Sequence, residues 1–264
     1  MTKVYLAFFI YFFSISSFSQ TGWIISERTG GEDFNEIVEN TVFIQENKIK
    51  STDRDHSLII DLNNWELILL DHANAGYWTG TPSMYTEYVK KFTLDHLKEE
   101  IAKANDYDKP YLEALYEDLA MDMSMGNDVI SFFGELPVEV FMTDEQERIM
   151  GYHVNHYIIY HDRRKVEEVW LTRDINPVDV YNYSKFQKFN DEMSWGHIFI
   201  DYRSSEKYIH LMNQGLPLKT VEISESGEII TIEVVNFKRT SVDENIFKIP
   251  PHYNPMEFPK SWLF

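Results

Sequence analysis

Short runs of β-branched and aromatic residues, punctuated by Gly, Asn and Asp, lie on both sides of one helical stretch. That order restricts the fold more than any other feature of the 264-residue chain. Gly22 to Arg28, Asn40 to Ile44 and Lys48 to Ser51 have strand character, with Gly30-Gly31 and Glu46-Asn47 as breaks. Ser57 to Leu62 and Trp65 to Leu70 flank Asn63-Asn64 and predict a hairpin. Asp71 to Gly76 ends it, and Tyr77-Trp78-Thr79 resumes an extended path. Thr86 to Ala104 then sets Tyr88, Phe92, Leu97 and Ile101 at helical spacing. Asp108 is a predicted N-cap with Pro110 in the first turn behind it. Leu112, Leu115, Tyr116, Leu119 and Met123 form the next apolar stripe, which stops at Gly126.

From Val138 the chain returns to strands. The expected elements are Val138 to Met142 and Ile149 to His161, with Glu147-Arg148 lying between the two runs, then a charged turn at Asp162 to Lys165, and Val166 to Thr172. Tyr181 to Glu192 is mixed and reads as a short helix, Trp195 to Tyr202 is ambiguous, and Glu206 to Asn213 has helical character. Leu218 to Ser224 and Glu228 to Arg239 close the pattern as a hairpin around Ser226-Gly227, before an irregular Pro-rich tail. Strands, then helices, then strands is not the alternation that builds a parallel sheet. It predicts an α+β domain whose helices lie against an antiparallel sheet.

The first 19 residues stand apart. Lys3 precedes an apolar run through Phe18, and Ser17 and Ser19 occupy the positions a signal peptidase reads, with Gln20 as the expected first mature residue. The run is short for a bilayer span, so the expectation is a cleaved secretory leader at 1–19 and one domain at 20–264, with its helical insert near 86–126. The mature chain of about 245 residues is long enough to bury a core without disulfides, and it has no cysteine for a thiolate metal site, a cysteine nucleophile or a lipid anchor. With 24 basic and 43 acidic residues the net charge is −19. That balance argues against nucleic acid and against anionic lipid head groups as partners.

Three segments carry a family resemblance. The first is Ile149-Met150-Gly151-Tyr152, followed by His156-Tyr157-Ile158-Ile159 and Glu168-Val169-Trp170-Leu171-Thr172. The second is Gly215-Leu216-Pro217-Leu218 with its closing hairpin. The third is Phe247-Lys248-Ile249-Pro250 with Tyr253. Together they resemble a secreted bacterial family of unassigned function with the half-barrel fold of the lipoprotein carriers LolA and LolB. The resemblance implies a strongly curved antiparallel sheet wrapped around helices. In the carriers, the space between sheet and helices receives acyl chains.

Candidate chemistry is sparse. His153 and His161 lie eight residues apart, about 27 Å along a strand, and His156 points the other way, so no shared metal is expected. Asp71-His72 lacks a nucleophile for a triad, and Asp53-Arg54-Asp55 reads as a charged turn rather than a calcium loop. No catalytic residue, metal or cofactor is assigned. Of Met121, Met123 and Met125, only Met123 falls on the helix's main apolar stripe. The groove candidates are Trp65, Trp78, Met123, Tyr152 and Trp170.

The leading expectation is a soluble secreted envelope protein, carrier or chaperone-like, binding a lipid or other hydrophobic ligand. The alternative is a non-enzymatic scaffold with a filled core that contacts another envelope protein. An extracytoplasmic hydrolase ranks third.

Overall fold

The computed structural model describes residues 21–31, 37–105, 107–125, 137–193, 202–224 and 227–259. The predicted leader and the ambiguous 195–201 stretch lie outside them. The strands are β1 (Thr21–Gly31), β2 (Val38–Gln45), β3 (Lys48–Thr52), β4 (His56–Asp61), β5 (Glu66–Asp71) and β6 (Gly76–Gly80), then β7 (Val138–Ile149), β8 (Tyr152–His161), β9 (Arg164–Thr172), β10 (Leu216–Ile223), β11 (Ile229–Ser241) and the two-residue β12 (Asn254–Pro255). They form one open sheet in the order β12-β6-β5-β4-β3-β2-β1-β11-β10-β9-β8-β7. Every pairing is antiparallel except β12 with β6. The helices are α1 (Pro82–Lys103), α2 (Lys109–Met125), α3 (Tyr183–Met193) and α4 (Glu206–Met212).

Local chemistry accounts for most boundaries. The Asp61 carboxylate accepts from the Asn63 and Asn64 amides, which turns β4 into β5. Asp53 does the same for Asp55 and His56 between β3 and β4, so the acidic triplet is a turn. Thr81 caps α1 ahead of Pro82. The Asn105 side chain accepts the Tyr107 and Asp108 amides in front of α2, and α2 begins directly after Asp108, the expected N-cap, whose carbonyl accepts the Leu112 amide.

The boundary between two strands differs from the expected one. β7 runs through Glu147-Arg148 to Ile149 and pairs with β8 on both sides of an irregularity between Met142 and Gln146. The chain reverses at Met150-Gly151, where both residues take positive φ of 53° and 84°. Gly151 tolerates that conformation and the charged pair before it does not demand one.

The sheet must curve, because α3 touches parts of it that a flat sheet would hold far apart. β5 and β9 are seven places apart in the strand order, about 34 Å if flat, whereas the 11-residue α3 is about 16 Å long. Yet Phe189 of α3 meets Trp65, just ahead of β5, at 5.2 Å. Tyr183 of the same helix packs in a cluster with Tyr157 of β8 and Val169 and Leu171 of β9. The helix embraced by the sheet is therefore α3, with Phe189 fully buried. α1 and α2 are mostly exposed, and the buried positions of α1 are Pro82, Thr86 and Leu97.

The strands β4 and β5 are covered on both faces. Leu67 and Leu69 join the cluster around Phe189, while the alternate residues Ile68 and Leu70 join Ile59, Val242 and Phe247 on the other side. The C-terminal segment supplies that second cover. It then bends around the sheet edge, where the Asn254 and Met256 amides donate to Ala75 and Tyr77 of the β6 region. The tail expected to be irregular thus adds the parallel β12.

Candidate functional site

Four of the five groove candidates have described side chains, and these four have different surroundings. Trp65 donates its indole N–H to Glu192 at 2.8 Å and packs on the central cluster. Tyr152 lies against Phe237 at 5.4 Å, also on that cluster. Trp170 stacks on His156 at 4.3 Å with the Lys219 ammonium 4.9 Å from its ring centre. Met123 is in α2, but its side chain lies outside the described residues. Trp78 borders open space.

That space is a groove of about 770 Å³ between β6, α1 and the C-terminal segment. Its apolar wall is made by Trp78, Met84, Tyr88, Phe92, Met256 and Phe258. Three elements place these rings. Trp78 projects from β6, Tyr88 and Phe92 are one turn apart on α1, and Phe258 arrives after β12 has fixed its segment to β6. Phe258 and Tyr88 stack at 5.2 Å with an interplanar angle of 3°. Trp78 meets both edge-on, at 5.2 and 5.9 Å. Lys91, Asp95, His96, Glu99 and Glu257 supply the polar lining. The sequence offered Trp78 and the Tyr88/Phe92 stripe, but Phe258 and Met256 join them only because the chain end returns to β6.

A second cleft, about 900 Å³, lies among the Glu46-Asn47 turn, Asn63, residues 178–182 and Arg239. Its lining is mainly polar and partly paired: Arg239 meets Asp179 at 2.6 Å, and the Asn47 side chain accepts the Asn182 amide at 2.8 Å.

The remaining candidates resolve into structural contacts. Asp71 turns its carboxylate to Asn74. His72 instead bridges Ser57, at 2.7 Å from Nε2, and Tyr253, at 2.6 Å from Nδ1. Ser57 is buried and donates to Thr52, so Nε2 carries the proton toward Ser57 and Nδ1 accepts from the Tyr253 hydroxyl. Burial, with Lys50 close by, lowers the His72 pKa. This is a pin between β4, β5 and the C-terminal segment.

The strand histidines have different neighbours. His153 accepts from Arg148, His156 lies between Glu145 and Glu168, and His161 packs on Tyr202. Among the described residues no group of three or more His, Asp or Glu is arranged to hold a metal.

Sequence reasoning missed Glu167. It lies on β9 with 1 % exposure, accepts from the Tyr208 hydroxyl at 3.2 Å, and has Arg203 at 3.9 Å. Arg203 is nearer Glu222, at 2.7 Å. The second Glu167 oxygen has no hydrogen-bond partner among the described residues. Burial outweighs Arg203 and pushes the carboxyl pKa up to about 7. The alternation of β9 could have marked Glu167 as inward, since it shares a strand face with Val169 and Leu171.

An open, curved, antiparallel sheet embracing a helix defines an α+β protein of half-barrel type. A profile of a domain of unknown function, DUF4412, matches residues 96–253. The chain belongs to that family, in agreement with the resemblance its motifs carry.

Among solved structures, it is similar to PNGF-II (15 % identity, TM-score 0.38, covering 92 % of this chain and 32 % of that one). It is also similar to the Pseudomonas aeruginosa MucA/MucB complex (8 % identity, TM-score 0.40, covering 89 % and 58 %). A third is the LolA superfamily protein NE2245 from Nitrosomonas europaea (8 % identity, TM-score 0.31, covering 87 % and 90 %). The chain spans about a third of the matched PNGF-II chain. No curated protein matches it. No helix among the described residues is long and apolar enough to cross a membrane.

Proposed function

We propose that this chain is an envelope protein, delivered outside the cytoplasm by its leader, that binds an apolar or amphiphilic ligand such as a lipid or acyl chain in a carrier or chaperone-like role. The binding site is the groove between α1, β6 and the C-terminal segment. The observation that carries this reading is the convergence there of Trp78, Tyr88 and Phe258, from three elements, around open volume rather than a filled core. Met84 and Tyr88 keep 42 % and 44 % exposure on that wall. Two methionines let it adapt to varied apolar shapes.

The test is uptake of the uncharged dye N-phenyl-1-naphthylamine, with native mass spectrometry of protein purified without detergent. Tyr88→Ala and Phe258→Ala should each weaken dye binding about tenfold. Protein that carries no lipid, takes up no dye and is indifferent to both changes would sink the proposal.

One observation favours a second reading, the scaffold. The concave face is occupied by Phe189, Leu67 and Leu69 rather than left open. On that reading the partner is another envelope protein, captured in pull-downs that Tyr88→Ala and Phe258→Ala leave unchanged.

A further inference from the structure

We infer that the groove selects an amphiphile whose polar end is a cation, of the alkylammonium class. This rests on the groove being the ligand site and adds the chemistry of the head group. Asp95 and Glu99 are one helical turn apart on α1 and face the same groove. Glu257 approaches from the C-terminal segment, beside Phe258. Against these three carboxylates the lining contains one lysine, Lys91, and one histidine, His96, whose ring stacks on Phe92. Asp95 also has Lys98 at 3.9 Å, on an exposed flank of the helix.

The rings in the same wall strengthen the preference. An ammonium group is attracted to the faces of tryptophan, tyrosine and phenylalanine, and its alkyl substituents satisfy the apolar surface that a metal ion or a hydrated anion would leave uncovered. A carboxylate or sulfate head would meet repulsion from three like charges in a molecule whose net charge is already −19. The groove thus combines an apolar wall for a chain with an anionic, aromatic rim for its head.

The experiment compares three ligands with the same twelve-carbon chain, all below their micellar concentrations: dodecyltrimethylammonium, dodecyl maltoside and dodecyl sulfate. Binding to the full chain is followed by calorimetry. Dodecyltrimethylammonium should bind about tenfold tighter than dodecyl maltoside, and dodecyl sulfate weakest. The combined Asp95→Asn, Glu99→Gln and Glu257→Gln variant should lose the cation preference and keep dodecyl maltoside binding. A control with the same change of net charge at distant exposed sites, Asp55→Asn, Glu139→Gln and Glu228→Gln, should keep the preference.

If all three ligands bind alike, or if the control loses the preference as fully as the groove variant, the inference is overturned while the groove stands. If none of the three binds, the groove reading falls and the inference with it.

Discussion

Trp65 and Phe189 meet edge to face at 5.2 Å, and the indole N–H of Trp65 is taken by Glu192 one turn further along α3. This pair fastens the helix to the β4–β5 turn, 124 residues earlier in the sequence. Phe189 is fully buried at the centre of the concave cluster. Phe189→Ala should lower unfolding stability by about 3–5 kcal/mol, and Trp65→Phe, which keeps an aromatic ring but loses the second ring of the indole and its hydrogen bond, by about 1–2 kcal/mol. Guanidinium unfolding curves measure both. Equal small effects would show that α3 does not anchor the sheet.

Glu167 makes stability depend on pH in a defined direction. Its folded pKa lies near 7, above the ordinary 4.5, so the folded state holds the proton more tightly than the unfolded chain. Its contribution is complete below pH 4.5 and is lost as pH rises through 7, about 3 kcal/mol in all. Glu167→Gln should remove that loss and leave the variant more stable than the parent at pH 8. Denaturant titrations at pH 5, 6, 7 and 8 decide it, and parallel profiles for the two proteins would contradict the assignment.

The His72 pin has the opposite sign. Its folded pKa is lowered, so the unfolded chain takes up the proton first and stability falls as pH drops below about 6.5. A proton on Nδ1 also ends its acceptance of the Tyr253 hydroxyl hydrogen. The expected outcome is a His72 titration midpoint below 6.5 by NMR. Exchange protection of the Asn254 and Met256 amides should decline on acidification in the parent and much less in His72→Gln. Protection that changes equally in both proteins would remove His72 from the account.

Gly215 precedes β10 where a side chain has no room. A Cβ there would lie 1.9 Å from the Thr172 carbonyl oxygen and 3.0 Å from Leu171. The first is backbone and cannot swing aside. Gly215→Ala should therefore cost about 2 kcal/mol or more, measured by the shift in unfolding midpoint. A midpoint within error of the parent would mean that β9 and β10 are free to separate at this end.

Much of the architecture was legible because strands announce themselves locally. The alternation in β4 and β5 and the Asn63-Asn64 break gave the hairpin, since Asp61 and its neighbours make the turn without help from the rest of the chain. The β7–β8 reversal at Met150-Gly151 is hidden inside an apolar and aromatic run that continues from Ile149 to His161. Pairing with β8 carries Glu147-Arg148 as strand, and the reversal waits for Gly151. The site was half legible. Trp78, Tyr88 and Phe92 stood out as aromatic positions, but nothing near them announces Phe258. Trp65, Tyr152 and Trp170 stood out equally and belong to packing instead.

Sequence alone determined the class: hairpins, a paired helical insert, a cysteine-free acidic chain and a family signature. These depend on turn chemistry, periodicity and composition, which act over a few residues or over the whole chain at once. Tertiary structure alone decided which helix the sheet embraces, that Glu167 is shut away from water, and that the chain end crosses to β6 to complete the groove. Those outcomes follow from which apolar surfaces meet when the sheet bends, and contacts between residues more than a hundred positions apart leave no local pattern to read.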